Sequence, residues 1–157
     1  MFHSILCATD LSPRSEEALR AAVQLAAHFG AELTVLNVHE EFMDKQEMVM
    51  LRVSVDHMQE HFRDIALKAR EEMRERVSAI GVEDLKVHYL LHEGKPAETI
   101  LATAAEIAAG QQGQGVVLTV MGSNGRDSLM DMLLGSVAEH VVRNATMPVL
   151  VIPHVTR

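Results

Sequence analysis

The stretch MGSNGRDSLMDMLLGSVAEHVV, residues 121–142, sets Gly122, Gly125, Gly135 and Ser136 in the arrangement G-x2-G-x9-G-S. Glycines lack a Cβ, so where a chain turns sharply their backbone N–H groups can approach an anion closely. Gly135 and Ser136 open a helical pattern, and a helix start offers free N–H groups, a positive dipole end and here a hydroxyl, all suited to phosphate. The nine-residue spacer must fold back for the two halves to meet. The plainer alternative is that the glycines only make turns and Ser136 only caps a helix. If the phosphate reading holds, a valine at Gly122 or Gly135 should fill the backbone space and block the site while the fold survives.

Such a site needs a strand before it and a helix after it, and the chain alternates the two throughout. Residues 2–9, FHSILCAT, form an apolar run that ends at Asp10. DLSPRSEEAL follows with helix-start chemistry: Ser12 to cap, Pro13 at the first helical position, Glu16 and Glu17 at the positive end. Ala18, Ala22, Leu25 and Ala26 make a helical stripe, and Gly30 stops it. ELTVLNVH, residues 32–39, reads as the second strand. Met58, Phe62, Ile65, Ala69, Met73 and Val77, spaced by threes and fours, predict a long helix over 55–80 ending at Gly81. A third strand is expected over 85–91, a helix from Pro96 to about Ala109, and a fourth strand over 116–121. A last helix over 136–144 and a fifth strand, VLVI at 149–152, complete the order. Residues 40–54 carry no single assignable pattern, although Met43, Met48 and Met50 cluster there; the segment reads as a lid or a partner surface.

Regular alternation with near-continuous apolar strands predicts one α/β domain over residues 1–157, a doubly wound parallel sheet with helices on both faces. Ligands of such folds bind beyond the carboxyl ends of the strands where the strand order reverses. The loops after strands one and four are therefore the candidate site.

The G-x2-G-x9-G-S spacing, within MGSNGR and LLGSVAEHVV, resembles the ATP-binding signature of universal stress proteins. TDLSP after strand one, GKPAETI at residues 94–100 and PVLVI near the end extend the resemblance over essentially the whole chain. It implies a Rossmann-like sheet, similar to that of adenine nucleotide α-hydrolases, with strand order 3-2-1-4-5. It also implies that Ala8, Thr9 and Asp10 border an adenosine, Asp10 reaching ribose or a phosphate-associated metal. Val38 would offer backbone groups to the adenine edge and Met121 would flank the nucleoside. Gly122, Ser123, Gly125, Arg126, Gly135, Ser136 and Val137 would surround ribose and phosphates. The implied ligand is ATP, or ADP or AMP, with Mg2+. The chain departs from the family pattern at GQQGQGVVLTV, where Gly110, Gly113 and Gly115 are read as lengthening a surface loop.

No G-x4-G-K-[ST] motif is present, so the lysine that serves the terminal phosphates of P-loop enzymes is missing, and no catalytic base declares itself. Binding, with at most slow hydrolysis, is the expectation. Two alternatives stand beside it. A related adenylating enzyme would need a Ser-Gly-Gly loop after strand one, where TDLSP stands instead. A nucleotide-independent dimer would act through protein contacts alone. His57 and His61 share a helix face, and His88 and His92 a strand face, but no third ligand accompanies either pair, so no protein-held metal is expected. Cys7, inside an apolar strand, reads as a small hydrophobe rather than a redox switch.

A formal charge of −8 and the absence of a basic patch with interleaved aromatics argue against nucleic acid as a partner. No run of 18 to 20 apolar residues and no leader pattern appear, so a cytoplasmic protein without a membrane partner is expected. The single Cys7 fits a reducing compartment. An apolar edge strand invites pairing, so a homodimer through residues 149–152 is expected, beside a protein partner that the residues do not identify.

Overall fold

The computed structural model describes residues 1–40, 55–111, 115–124 and 134–154. Five strands, β1 (Phe2–Ala8), β2 (Glu32–His39), β3 (Val87–Glu93), β4 (Val116–Gly122) and β5 (Val149–Ile152), form one sheet. Among the described residues four helices intervene: α1 (Glu16–Phe29), α2 (Val55–Ile80), α3 (Pro96–Gly110) and α4 (Ser136–Asn144). Every strand pairing is parallel and the order is β3-β2-β1-β4-β5, as expected.

Right-handed crossovers decide which helix covers which face. The chain moves outward through α1 and α2 to β3, then returns across the sheet through α3 and continues through α4 to β5. The first pair therefore packs on one face and the second pair on the other. Pleating sends Ile5 and Cys7 of β1 into a core with Ala18, Ala22, Val23 and Met73, while Leu6 joins Leu36, Ile100, Ala104 and Val141 beneath α3 and α4. β1 is central and buried on both faces, which is why its apolar run is almost unbroken.

Two local expectations are corrected. Helix α1 does not start at Ser12: a 3₁₀ turn, Pro13–Ser15, precedes it, and the Ser12 hydroxyl donates to Asp10 Oδ1 at 2.5 Å instead of capping a helix N–H. Strand β3 begins at Val87 rather than residue 85 and runs on through His92 and Glu93, which pair in register with Val38 and His39. Leu85 packs against the α1/α2 core just after a left-handed Asp84 (φ 59°), so it is apolar for burial and not for pairing. Before β4, Gly110 closes α3 and Gln111 reaches back to the Ser4 hydroxyl, passing under Gly115, where a Cβ would collide with it. Gly113 lies outside the described residues, as do residues 41–54. Among the described residues no helix is long and apolar enough to cross a membrane.

Candidate nucleotide-binding site

The strand order reverses between β1 and β4, where Ala8 stands opposite Met121 on one side and Leu36 of β2 on the other. β1 stops there, while β2 runs three residues further. Thr9 N–H donates to Leu36 O at 2.9 Å, so Leu36 turns its backbone groups toward β1. Pairing alternates along a strand, so Val38 turns its N–H and C=O to the same side, past the end of β1. On the other flank Ser123 N–H donates to Ile152 O at 2.9 Å and so faces β5; by the same alternation Gly122 faces β1. Backbone groups of Val38 and Gly122 thus flank the notch that β1 leaves.

An open cleft of about 820 Å³ lies over this notch. Leu36, Val38, Ile100, Met121 and Val137 give it an apolar wall, and Asp10, Asn37, Ser123 and Ser136 are among its polar lining. That mixture suits a planar heterocycle carrying a polar, charged tail. A second cavity, between α3, α4 and β5, measures only about 70 Å³ and is far too small for such a ligand.

The loop after β1 is fixed by its own side chains. Thr9 Oγ1 lies 2.8 Å from Ser15 Oγ and accepts Leu11 N–H at 3.1 Å. Asn37 Nδ2 donates to Thr9 O at 2.9 Å, and Asp10 Oδ1 accepts Ser12 N–H at 3.0 Å. Leu11 takes a left-handed backbone (φ 60°), a conformation that costs an L-residue free energy and persists only where neighbours hold it.

The opposite wall brings the two halves of the glycine pattern together. Gly135 N–H donates to Ser123 O at 2.7 Å, so the two flanks of the spacer meet; residues 125–133 between them lie outside the described residues. Gly135 is the N-cap of α4, no side chain among the described residues caps that helix, and its first internal bond runs from Glu139 N–H to Gly135 O at 2.9 Å. The N–H groups of Ser136, Val137 and Ala138 are therefore first-turn donors with no intrahelical acceptor, as at any helix start, here beside the cleft. Ser123 Oγ is buried without a hydrogen-bond partner among the described residues, a costly arrangement that a polar ligand would relieve.

Of the residues singled out from the sequence, Ala8, Thr9, Asp10, Val38, Met121, Gly122, Ser123, Gly135, Ser136 and Val137 all line this one cleft. Gly125 and Arg126 lie outside the described residues. Pro96 and Ile100 of the GKPAETI motif line it without having been assigned to a site, and Asn37, Ser15, Lys68 and Glu72 line it although they carried no signal in the sequence. Their partners are distant in sequence, and a lone lysine or glutamate on a charged helix looks like a solvated face. Cys7 is fully buried, and burial pushes its thiol up to about 12, which suits the reading as an inert core residue. His88 pairs with Glu32 at 3.2 Å, whereas His92 meets Thr103 Oγ1 at 3.5 Å. Among the described residues no group of three or more His, Cys, Asp or Glu side chains is placed to hold a metal.

The universal stress protein family profile matches residues 1–153. The chain belongs to the universal stress protein family. It is 34% identical to universal stress protein YxiE of Bacillus subtilis over 160 residues, 97% of this chain and 99% of that relative. Among solved structures it is similar to the protein MJ0577, with a TM-score of 0.73 at 25% identity over 100% of this chain and 99% of the other. A universal stress protein in complex with cAMP shares the fold, with a TM-score of 0.65 at 21% identity over 98% of this chain and 99% of the other.

Proposed function

We propose that residues 1–157 form one domain that binds an adenine nucleotide, ATP with Mg2+ foremost, in the β1/β4 cleft. The observation that carries this is the meeting of a buried Ser123 hydroxyl with no partner among the described residues, the open backbone at Gly122 and the first-turn N–H groups of α4 around one apolar-walled notch. Leu36, Val38, Met121 and Val137 would take the adenine, with Val38 backbone groups at its edge. Ala8, Thr9 and Asp10 would border the ribose, and Gly122, Ser123, Gly135 and Ser136, with Gly125 and Arg126 from the intervening segment, the phosphates. Mg2+ is usually held by one or two carboxylates plus phosphate oxygens, and Asp10 supplies a carboxylate at the switch point. That a protein of this fold has been solved with cAMP supports the reading by analogy.

In this reading the protein is a cytoplasmic, homodimeric stress-response module whose occupancy alters its contacts with a protein partner, with slow hydrolysis at most. Calorimetric titration of the nucleotide-stripped protein with ATP and Mg2+, then with GTP, tests it. Saturable binding of ATP and at least tenfold weaker binding of GTP is the expected result. Binding of neither nucleotide would shift the function to a nucleotide-independent dimer.

A further inference from the structure

Arg76, on α2, reaches a loop more than sixty residues away in sequence. Its Nη2 donates to Leu11 O at 2.6 Å and its Nη1 to Ser12 O at 3.4 Å. Glu72, one turn earlier on α2, accepts Nη2 at 2.6 Å, and Glu16 at the head of α1 lies 3.6 Å from Nη1. The Arg76 side chain is only 23% exposed and Ser12 is buried, so the bonds to the carbonyls are shielded from water, whereas Glu72 and Glu16 stand about half exposed. A planar guanidinium can serve two carbonyls and two carboxylates together, a geometry a lysine ammonium does not reproduce.

The two carbonyls differ in what they depend on. Ser12 O also accepts Ser15 N–H at 3.1 Å and Ser15 Oγ at 2.8 Å. Leu11 O takes its bond from Arg76, and Leu11 is the residue held in the left-handed conformation. Immediately before it stands Asp10, whose Oδ1 is tied to Ser12 by two bonds. Arg76 therefore grips the residue after Asp10 and the residue to which the Asp10 carboxylate is anchored. It is not among the described residues that line the cleft, although Glu72 and Lys68, on the same face of α2, are.

We infer that Arg76 is a positioning residue of the nucleotide site: through the Leu11 and Ser12 carbonyls it fixes the direction of the Asp10 carboxylate, without touching the ligand. The inference rests on the reading of the cleft as a nucleotide site. It makes α2 part of the binding machinery and predicts coupling between Arg76 and Asp10.

The test is a double-mutant cycle, with ATP and Mg2+ titrated into wild type, Arg76→Met, Asp10→Ala and the double variant. Arg76→Lys serves as the conservative variant. Arg76→Met should bind about tenfold more weakly, the scale of losing a charged hydrogen bond. Arg76→Lys should recover part of the loss. Adding Arg76→Met to Asp10→Ala should cost nothing further, because the residue that Arg76 acts through is already gone. Additive losses would assign Arg76 a general structural role and overturn the inference, as would wild-type affinity in Arg76→Met. If far-ultraviolet circular dichroism shows that Arg76→Met does not fold, Arg76→Lys carries the same cycle. Wild type that binds no ATP overturns the nucleotide reading itself, whereas wild type that binds beside unaffected Arg76 variants overturns only the role of Arg76.

Discussion

A Cβ built on Gly122 would lie 3.7 Å from Arg14 O and Asn124 O, ordinary contact, whereas one on Gly135 would come within 3.1 Å of Ser123 O and 3.3 Å of Asn124 Oδ1. Neither glycine has a positive φ, so close approach is what bears on both positions. At Gly122, the last residue of β4 and part of the cleft lining, a β-branched side chain suits the strand and would take up the space that the bare backbone leaves there. Gly122→Val should therefore keep its melting temperature within a few degrees of wild type, about 1 kcal/mol or less, while losing at least tenfold in ATP affinity. Gly135→Val should lose both, because it presses on the Ser123–Asn124 backbone at an overpacking cost of about 1–3 kcal/mol. This departs from the sequence expectation that both variants leave the fold intact. Melting curves and titrations of the two variants separate the cases; wild-type ATP affinity in Gly122→Val would mean that no part of the ligand approaches that backbone. The glycine spacing was readable because it is local. The burial of the Ser123 hydroxyl without a partner among the described residues and the Asn37 bond to Thr9 were not, because both depend on which strands become neighbours.

Helix α2 shows how far periodicity reaches. Its stripe was legible over the full length, and at its C-terminal half Ala69, Met73 and Val77 are 7%, 0% and 8% exposed. Toward the N-terminus the same stripe leaves the core: Phe62 meets the His39 ring at 6.4 Å and Ile65 lines the cleft. Spacing predicts a shared face, but not whether core or ligand covers it. The polar side was less legible still, since Glu72 and Arg76 at i and i+4 look like any surface pair until α2 is laid beside the β1 loop. Met73, fully buried between α1 and the sheet, should be the helix's main anchor. Met73→Ala should lower stability by about 2–5 kcal/mol, through lost transfer energy and the cavity left behind. A fall in the urea midpoint at an unchanged slope would show this. A loss below 1 kcal/mol would mean that α2 is held chiefly by Arg76 and the other polar contacts.

At the scale of the molecule, alternation and crossover handedness made a doubly wound parallel sheet legible, while the order β3-β2-β1-β4-β5, and with it the switch point at Ala8 and Met121, came from the family resemblance. They say nothing of what covers the ends of the sheet. β5 is four residues long, pairs only with β4 among the described residues, and has all four side chains half-buried. Val142, on neighbouring α4, is 46% exposed. Pro148 O and Ile152 O accept bonds from β4, so by alternation Val149 and Val151 turn their N–H and C=O to the open edge. Such an edge is a template for pairing, and two copies related by a two-fold axis would satisfy it by joining β5 to β5. If so, wild type sediments near twice the 17.3 kDa of one chain. Val151→Pro removes an outward N–H without touching the β4 ladder, so it should shift the protein to the monomer while its circular dichroism is preserved. A monomeric wild type would overturn the dimer, and a dimeric Val151→Pro would move the interface away from this edge.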